Sequence, residues 1–192
     1  MPSTETQPLD AGERRQLLDL AWESIRRGLA EGRPSRPDPE RFPGRLRQPG
    51  AAFVTLHRSG ELRGCVGHLE ATQPLVLDVA DNAFAAAFRD PRFEPLAESE
   101  LDGLDLDISV LTPPTPLEFR DEADLLRQLR PGKDGLILED QGHRGTFLPA
   151  VWESLPEPER FLAQLKRKAG LPTTHWSPTL KVFRYETETF DS

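Results

Sequence analysis

The chain has 192 residues, 36% of them hydrophobic and 29% charged, with 24 basic and 32 acidic side chains and a net charge of −8 at pH 7. That composition suits a soluble globular protein, with one sizeable core or a core with a small lobe, better than a disordered chain. An acidic chain repels phosphate backbones, so no nucleic-acid partner is expected. The single cysteine cannot form an intramolecular disulfide, which suits a reducing cytoplasm. The opening MPSTETQPLDAGERRQ lacks the apolar core of a signal peptide, and the apolar run near AFAAAF is far too short to span a bilayer, so no membrane partner is expected.

Residues 11–30 read as a helix with an apolar stripe through Leu18, Ala21, Trp22, Ile25 and Leu29. Asp10 is a candidate N-cap with Glu13 three residues on, and Gly32 and Pro34 end the helix. Residues 31–50 hold five prolines and three glycines and read as a long irregular connection. AAFVTLHRSGELRGCVG then reads as a β-hairpin. A three-residue loop, Arg58-Ser59-Gly60, sets Leu56 against Leu62, Val54 against Gly64 and Ala52 against Val66, which makes one face wholly apolar. The other face then carries Arg63 and Cys65, with Cys65 opposite Phe53.

Residues 74–89 form a second helix with apolar residues on two stripes, so it is buried on most sides. DPRFEPL breaks it, with Asp90 and Arg92 read as a local ion pair. LDLDISVL alternates as a strand with Leu104, Leu106, Ile108 and Val110 facing in. A short helix follows at 121–130. GLILEDQGHRGTFLP is a second hairpin with Asp140-Gln141-Gly142 as its loop. PERFLAQLKRKAG is an amphipathic helix ended by Gly170, and LKVFRYETETF is one late strand. Strands joined by hairpins and interleaved irregularly with helices give an α+β fold with mainly antiparallel pairing, the sheet flanked by helices.

The segments LRGCVG, AAAFRDPRFEPL, ISVLTPP and GKDGLILEDQGHRGTFLPAVW together resemble the AMME chromosomal-region (AMMECR) family, also called the A component of the AmmeMemoRadiSam system. The resemblance runs over roughly residues 11–188. It implies a compact α+β fold with a smaller lobe beside a main sheet, over a flexible N-terminus at 1–10 and one AMMECR-type domain at 11–190. It also implies association with a Memo-like protein and a radical S-adenosylmethionine protein, and no established reaction. Within the hallmark segment, Val66 stands where isoleucine is usual, and His68 where a small hydroxyl residue is common.

Two functional readings of the residues stay open. In one, Cys65 is a thiolate nucleophile or redox centre, supported by Arg63 and a histidine. In the other, the LRGCVG hairpin is a recognition surface for a small anionic ligand or a partner protein. Gly64 and Gly67 would then let a ligand approach the backbone, and Arg63, His68, His143 and Arg144 would bind it. Cysteine is also a common small residue of buried strands, so Cys65 alone does not decide. The four histidines show no metal spacing, and no Walker, dinucleotide-binding, nucleophile-elbow or iron–sulfur motif is present, so no cofactor is evident.

Overall fold

The computed structural model describes residues 7–191. Its α-helices are α1 (Ala11–Glu31), α2 (Gly44–Arg47), α3 (Leu75–Phe88), α4 (Glu122–Gln128) and α5 (Pro158–Lys168). Its strands are β1 (Pro49–Gly50), β2 (Ala52–Arg58), β3 (Glu61–Gly67), β4 (Gln73–Pro74), β5 (Leu104–Leu111), β6 (Thr115–Pro116), β7 (Gly135–Asp140), β8 (His143–Phe147), β9 (Lys181–Tyr185) and β10 (Thr187–Asp191). The expected α+β class holds, with antiparallel ladders. The chain forms two compact units: residues up to Leu111 with the stretch from Glu188 on, and Thr112–Thr187. Residues 1–6 of the expected flexible N-terminus lie outside the described residues, while Leu9 is buried and its N–H donates to Glu188 at 2.7 Å.

In the first unit, α1 starts as its sequence dictates. The Asp10 carboxylate accepts the Glu13 N–H and the Glu13 carboxylate accepts the Asp10 N–H, at 2.8 and 2.9 Å. Such a reciprocal cap stabilises a helix by about 1 kcal/mol. The buried face differs from the expected stripe. It runs through Leu17, Leu20, Ala21, Ser24, Ile25 and Gly28, with Leu18, Trp22 and Leu29 only half-buried. Small residues set this rotation. The Ser24 hydroxyl donates to the Ala80 carbonyl of α3 at 2.7 Å, and a Cβ on Gly28 would stand 2.2 Å from the Phe88 ring. An apolar count passes over both positions.

The sheet of this unit has the order β10-β5-β2-β3. Its first hairpin corrects the expected register. The turn is Ser59-Gly60, with φ of 53° and 80°, so both turn residues are left-handed and match the strand twist. Arg58 pairs with Glu61 and His57 with Leu62, then a bulge at Arg63 shifts the ladder so that Leu56 faces Gly64 and Thr55 faces Cys65. Leu62 therefore leaves the core side and is 41% exposed. The bulge sets Gly64 beneath α3, where a Cβ would lie 2.0 Å from the Ala86 carbonyl oxygen. Only a glycine lets helix and strand approach so closely. Ala52, Val54, Leu56, Leu106 and Ile108 pack with α1 and α3 into one core. Cys65 keeps its expected place on the mixed face, opposite Thr55 and not Phe53.

The second unit carries the sheet β6-β9-β7-β8. Its hairpin also turns in two residues, Gln141 and Gly142, and Asp140 pairs with His143, so the expected three-residue loop is shortened. Trp152 stacks on Phe161 at 3.7 Å over a core of Leu136, Leu138, Leu165 and Val182. The expected single late strand is two, β9 and β10, parted at Glu186 and pairing in different sheets. Period-two alternation continues through the break, so no apolar pattern marks it.

Candidate functional site

β3 is an edge strand, and an edge offers unpaired backbone groups. The segment after α3 supplies their partner. Asp90 accepts the Cys65 N–H at 3.0 Å through Oδ2. The same carboxylate accepts Nε and Nη2 of Arg92, at 3.0 and 2.7 Å, and the Arg92 N–H at 3.1 Å. The expected Asp90–Arg92 pair is thus present, with a second task that no local pattern announces. The Asp90 side chain is 2% exposed and that of Arg92 is 55% exposed. The hydrogen bonds from Arg92 hold the Asp90 carboxyl well below the ordinary carboxylate range. One edge of the guanidinium is fixed from behind, and its remaining N–H groups lie on an exposed side chain.

Cys65 is half-buried, and its Sγ lies 3.3 Å from Thr55 Oγ1. The next residue across the sheet is Asp107, which faces Thr55. Burial raises the Asp107 pKa, against the pull of His57 and a hydrogen bond from Thr55. His57 Nδ1 is 3.9 Å from its carboxylate. The hydrogen bond to Asp90, first of all, raises the Arg92 pKa against the effect of burial. Arg63 is occupied elsewhere: Nε and Nη2 hold Glu100 at 3.0 and 3.1 Å, and Nη2 donates to the Glu94 carbonyl at 2.7 Å. That clamp, first of all, brings the Glu100 pKa down to about 2. Arg63 and Arg92 both approach the Phe93 ring, at 5.6 and 5.5 Å.

The glycines of the motif make room for protein. Gly64 faces Ala86, as above, and a Cβ on Gly67 would stand 2.3 Å from the Phe53 ring. Just past the strand, His68 Nδ1 lies 2.6 Å from Asp78 Oδ1. Asp78 Oδ1 also accepts Gln73 Nε2 at 3.2 Å, and Oδ2 accepts the Ala52 N–H at 2.9 Å and Asn82 Nδ2 at 3.0 Å. Burial raises the Asp78 pKa against these bonds. Asp78 and Asn82 are not among the residues that the sequence singles out. The available signal was two polar residues four apart on a helix otherwise apolar on most sides.

His143 and Arg144 belong to the second unit, and the LRGCVG segment to the first. His143 Nδ1 is 3.2 Å from the Ala169 carbonyl, and Arg144 pairs with Glu139 at 3.1 Å. They line a cavity of about 490 Å³ with Asp140, Thr179 and Lys181. A cavity of about 630 Å³ in the first unit lies between α1 and β10, beside Leu18, Trp22 and Phe190. Among the described residues, no group of three or more His, Cys, Asp or Glu could hold a metal ion, and no helix is long and apolar enough to cross a membrane.

Comparison with known proteins gives a consistent result. Residues 18–190 match the family model described as AMMECR1. A protein of Methanothermobacter thermautotrophicus is 39% identical over 189 residues, covering 95% of this chain and 96% of its own. One from Thermococcus gammatolerans is 40% identical over 186 residues, covering 91% and 88%. The crystal structure of an uncharacterised protein from Pyrococcus horikoshii superposes with a TM-score of 0.85 at 35% identity, over 93% of this chain and 91% of that one.

Proposed function

The chain belongs to the AMMECR1 family, and from that premise we propose that its first unit is a binding module for a small anionic ligand, received by Arg92 beside Cys65. One observation carries the reading: buried Asp90 joins the Cys65 N–H to an exposed arginine. A guanidinium fixed along one edge is preorganised, so a phosphate or carboxylate meeting its other N–H groups orders no further side chain. The two segments joined in this way, LRGCVG and RDPRFEPL, are among those on which the family resemblance rests.

Calorimetric titration with inorganic phosphate and with acetate tests the reading. Saturable binding is expected, weakened at least tenfold by Arg92→Gln. Arg92→Lys should weaken it too, because a point charge cannot use one edge on Asp90 and the other on a ligand. Equal binding by wild type and Arg92→Gln rejects the reading.

A second reading has its own support. Cys65 Sγ, Thr55 Oγ1 and Asp107 stand in a row across the sheet face, which gives a thiol proton a path to a carboxylate. In this reading Cys65 is a nucleophile. Thr55→Val should then slow alkylation of Cys65 by iodoacetamide. An unchanged rate removes it. Partnership with a Memo-like protein and a radical S-adenosylmethionine protein is the matching proposal for the pathway. Pull-down with the purified proteins tests it, and no association counts against it.

A further inference from the structure

The residue after the LRGCVG motif carries a separate chemistry. Asp78 takes three of its four hydrogen bonds from amides: the Ala52 N–H, Asn82 and Gln73. Asn82 Nδ2 also donates to the Ala52 carbonyl at 3.0 Å, and Gln73 Nε2 to Asp81 at 3.2 Å. The carboxylate is therefore clamped before it meets the histidine. Its fourth bond, 2.6 Å from His68 Nδ1, requires the ring proton on Nδ1, because the carboxylate oxygen is an acceptor. Asn82 Nδ2 approaches the same ring nitrogen at 3.3 Å, but two donors cannot bond each other, so its hydrogens go to the two oxygens. Nε2 of the neutral ring is left with a lone pair. The His68 side chain is 52% exposed while that of Asp78 is 2% exposed. A buried carboxylate thus holds an accessible imidazole in one tautomer, the arrangement that orients the base of a hydrolase triad. No serine, threonine or cysteine of the described residues is bonded to Nε2, so none of them supplies the proton it would take.

We propose that His68 is a general base that takes a proton from an O–H group, of water or of a hydroxyl-bearing ligand, with Asp78 as its positioning residue. This goes beyond anion binding at Arg92 and does not depend on it.

The probe is p-nitrophenyl acetate in water. The water oxygen bonds the acetyl carbon and its proton passes to His68 Nε2. The carbon–oxygen bond to the leaving group breaks, and p-nitrophenolate departs with the electron pair. The acetic acid formed gives its remaining proton to solvent, leaving acetate, and the ring returns its own proton to solvent. His68→Gln, at an exposed position, should lower the esterolysis rate at least tenfold, within the range of general-base effects. Added imidazole should raise the rate of His68→Gly above the sum of the variant alone and imidazole alone, and should not do so for the wild type. Ring-nitrogen NMR should show Nδ1 protonated and Nε2 bare in the wild type, and a mixture of tautomers in Asp78→Asn. If Asp78→Asn fails to fold, His68→Gln and the imidazole rescue still decide. Equal esterolysis by wild type and His68→Gln overturns the proposal, as does a wild-type ring protonated on Nε2.

Discussion

Each unit has a hairpin with a two-residue left-handed turn, a glycine on its second strand pressed against a helical segment, and an aspartate 2.6 Å from a histidine nitrogen. The two hairpins nevertheless end differently. In the first unit Asp78 is held by amides, and His68 turns Nδ1 to it and leaves Nε2 accessible. In the second, Asp140 accepts Thr179 Oγ1 and His175 Nε2, both at 2.6 Å, and the His175 side chain is only 16% exposed. One pair presents a histidine and the other ties β7 to the segment before β9. A short Asp–His contact is therefore no site by itself. What the other ring nitrogen meets decides.

The largest effect expected within this comparison is from Asp78→Ala, which strands a buried backbone N–H, Asn82, Gln73 and His68. Urea unfolding should show a loss of about 4 kcal/mol, in the range for one removed partner of a buried pair. Next come the glycines. Gly64→Ala forces a methyl to 2.0 Å from a backbone oxygen, while Gly145→Ala meets Ala169 at 2.9 Å. Overpacking should cost about 3 kcal/mol at Gly64 and about 1 kcal/mol at Gly145 in the same assay. His175→Gln should cost about 1.5 kcal/mol, because a charge-assisted bond to a buried carboxylate is lost. His68→Gln should cost less, about 0.7 kcal/mol, because the same kind of bond is made there from a half-exposed ring. Equal costs at the two histidines break the comparison.

The smallest effect is in the pH dependence, where the two aspartates act in opposite senses. Burial raises the Asp78 pKa above 3.8, so its contribution is complete below that value and is lost as pH rises through the folded-state pKa. Thr179, ahead of His175, lowers the Asp140 pKa, so its contribution is complete above 3.8 and is lost as pH falls through the folded-state pKa. Unfolding curves from pH 6 to 3 should show Asp140→Asn losing less stability on acidification than wild type. Asp78→Asn should lack the gain that wild type makes between pH 6 and the ordinary aspartate range. Parallel curves for all three proteins contradict the assignment.

Much of this was readable from local pattern. The Asp10–Glu13 cap, the alternation of β5 and the burial of α3 all rest on neighbours close in sequence. The misses share a cause, a partner distant in the chain. The first hairpin takes a bulge because Gly64 must pass beneath Ala86 and Arg63 must reach Glu100. The face of α1 is set by Ser24 and Gly28 against α3. Cys65, Arg63 and His68 were visible as candidates, while Asp90 looked like a helix stop and Asp78 like one polar residue of an apolar helix. Their roles appear only when the strand and the helix come together.

Anion binding at Arg92 is tested most directly by an NMR titration of the whole chain with inorganic phosphate. Amide signals of Cys65, Arg92 and Phe93 should shift together and saturate, while those of His143 and Arg144 stay in place. Saturating shifts at the second hairpin, with Cys65 and Arg92 unmoved, would contradict it.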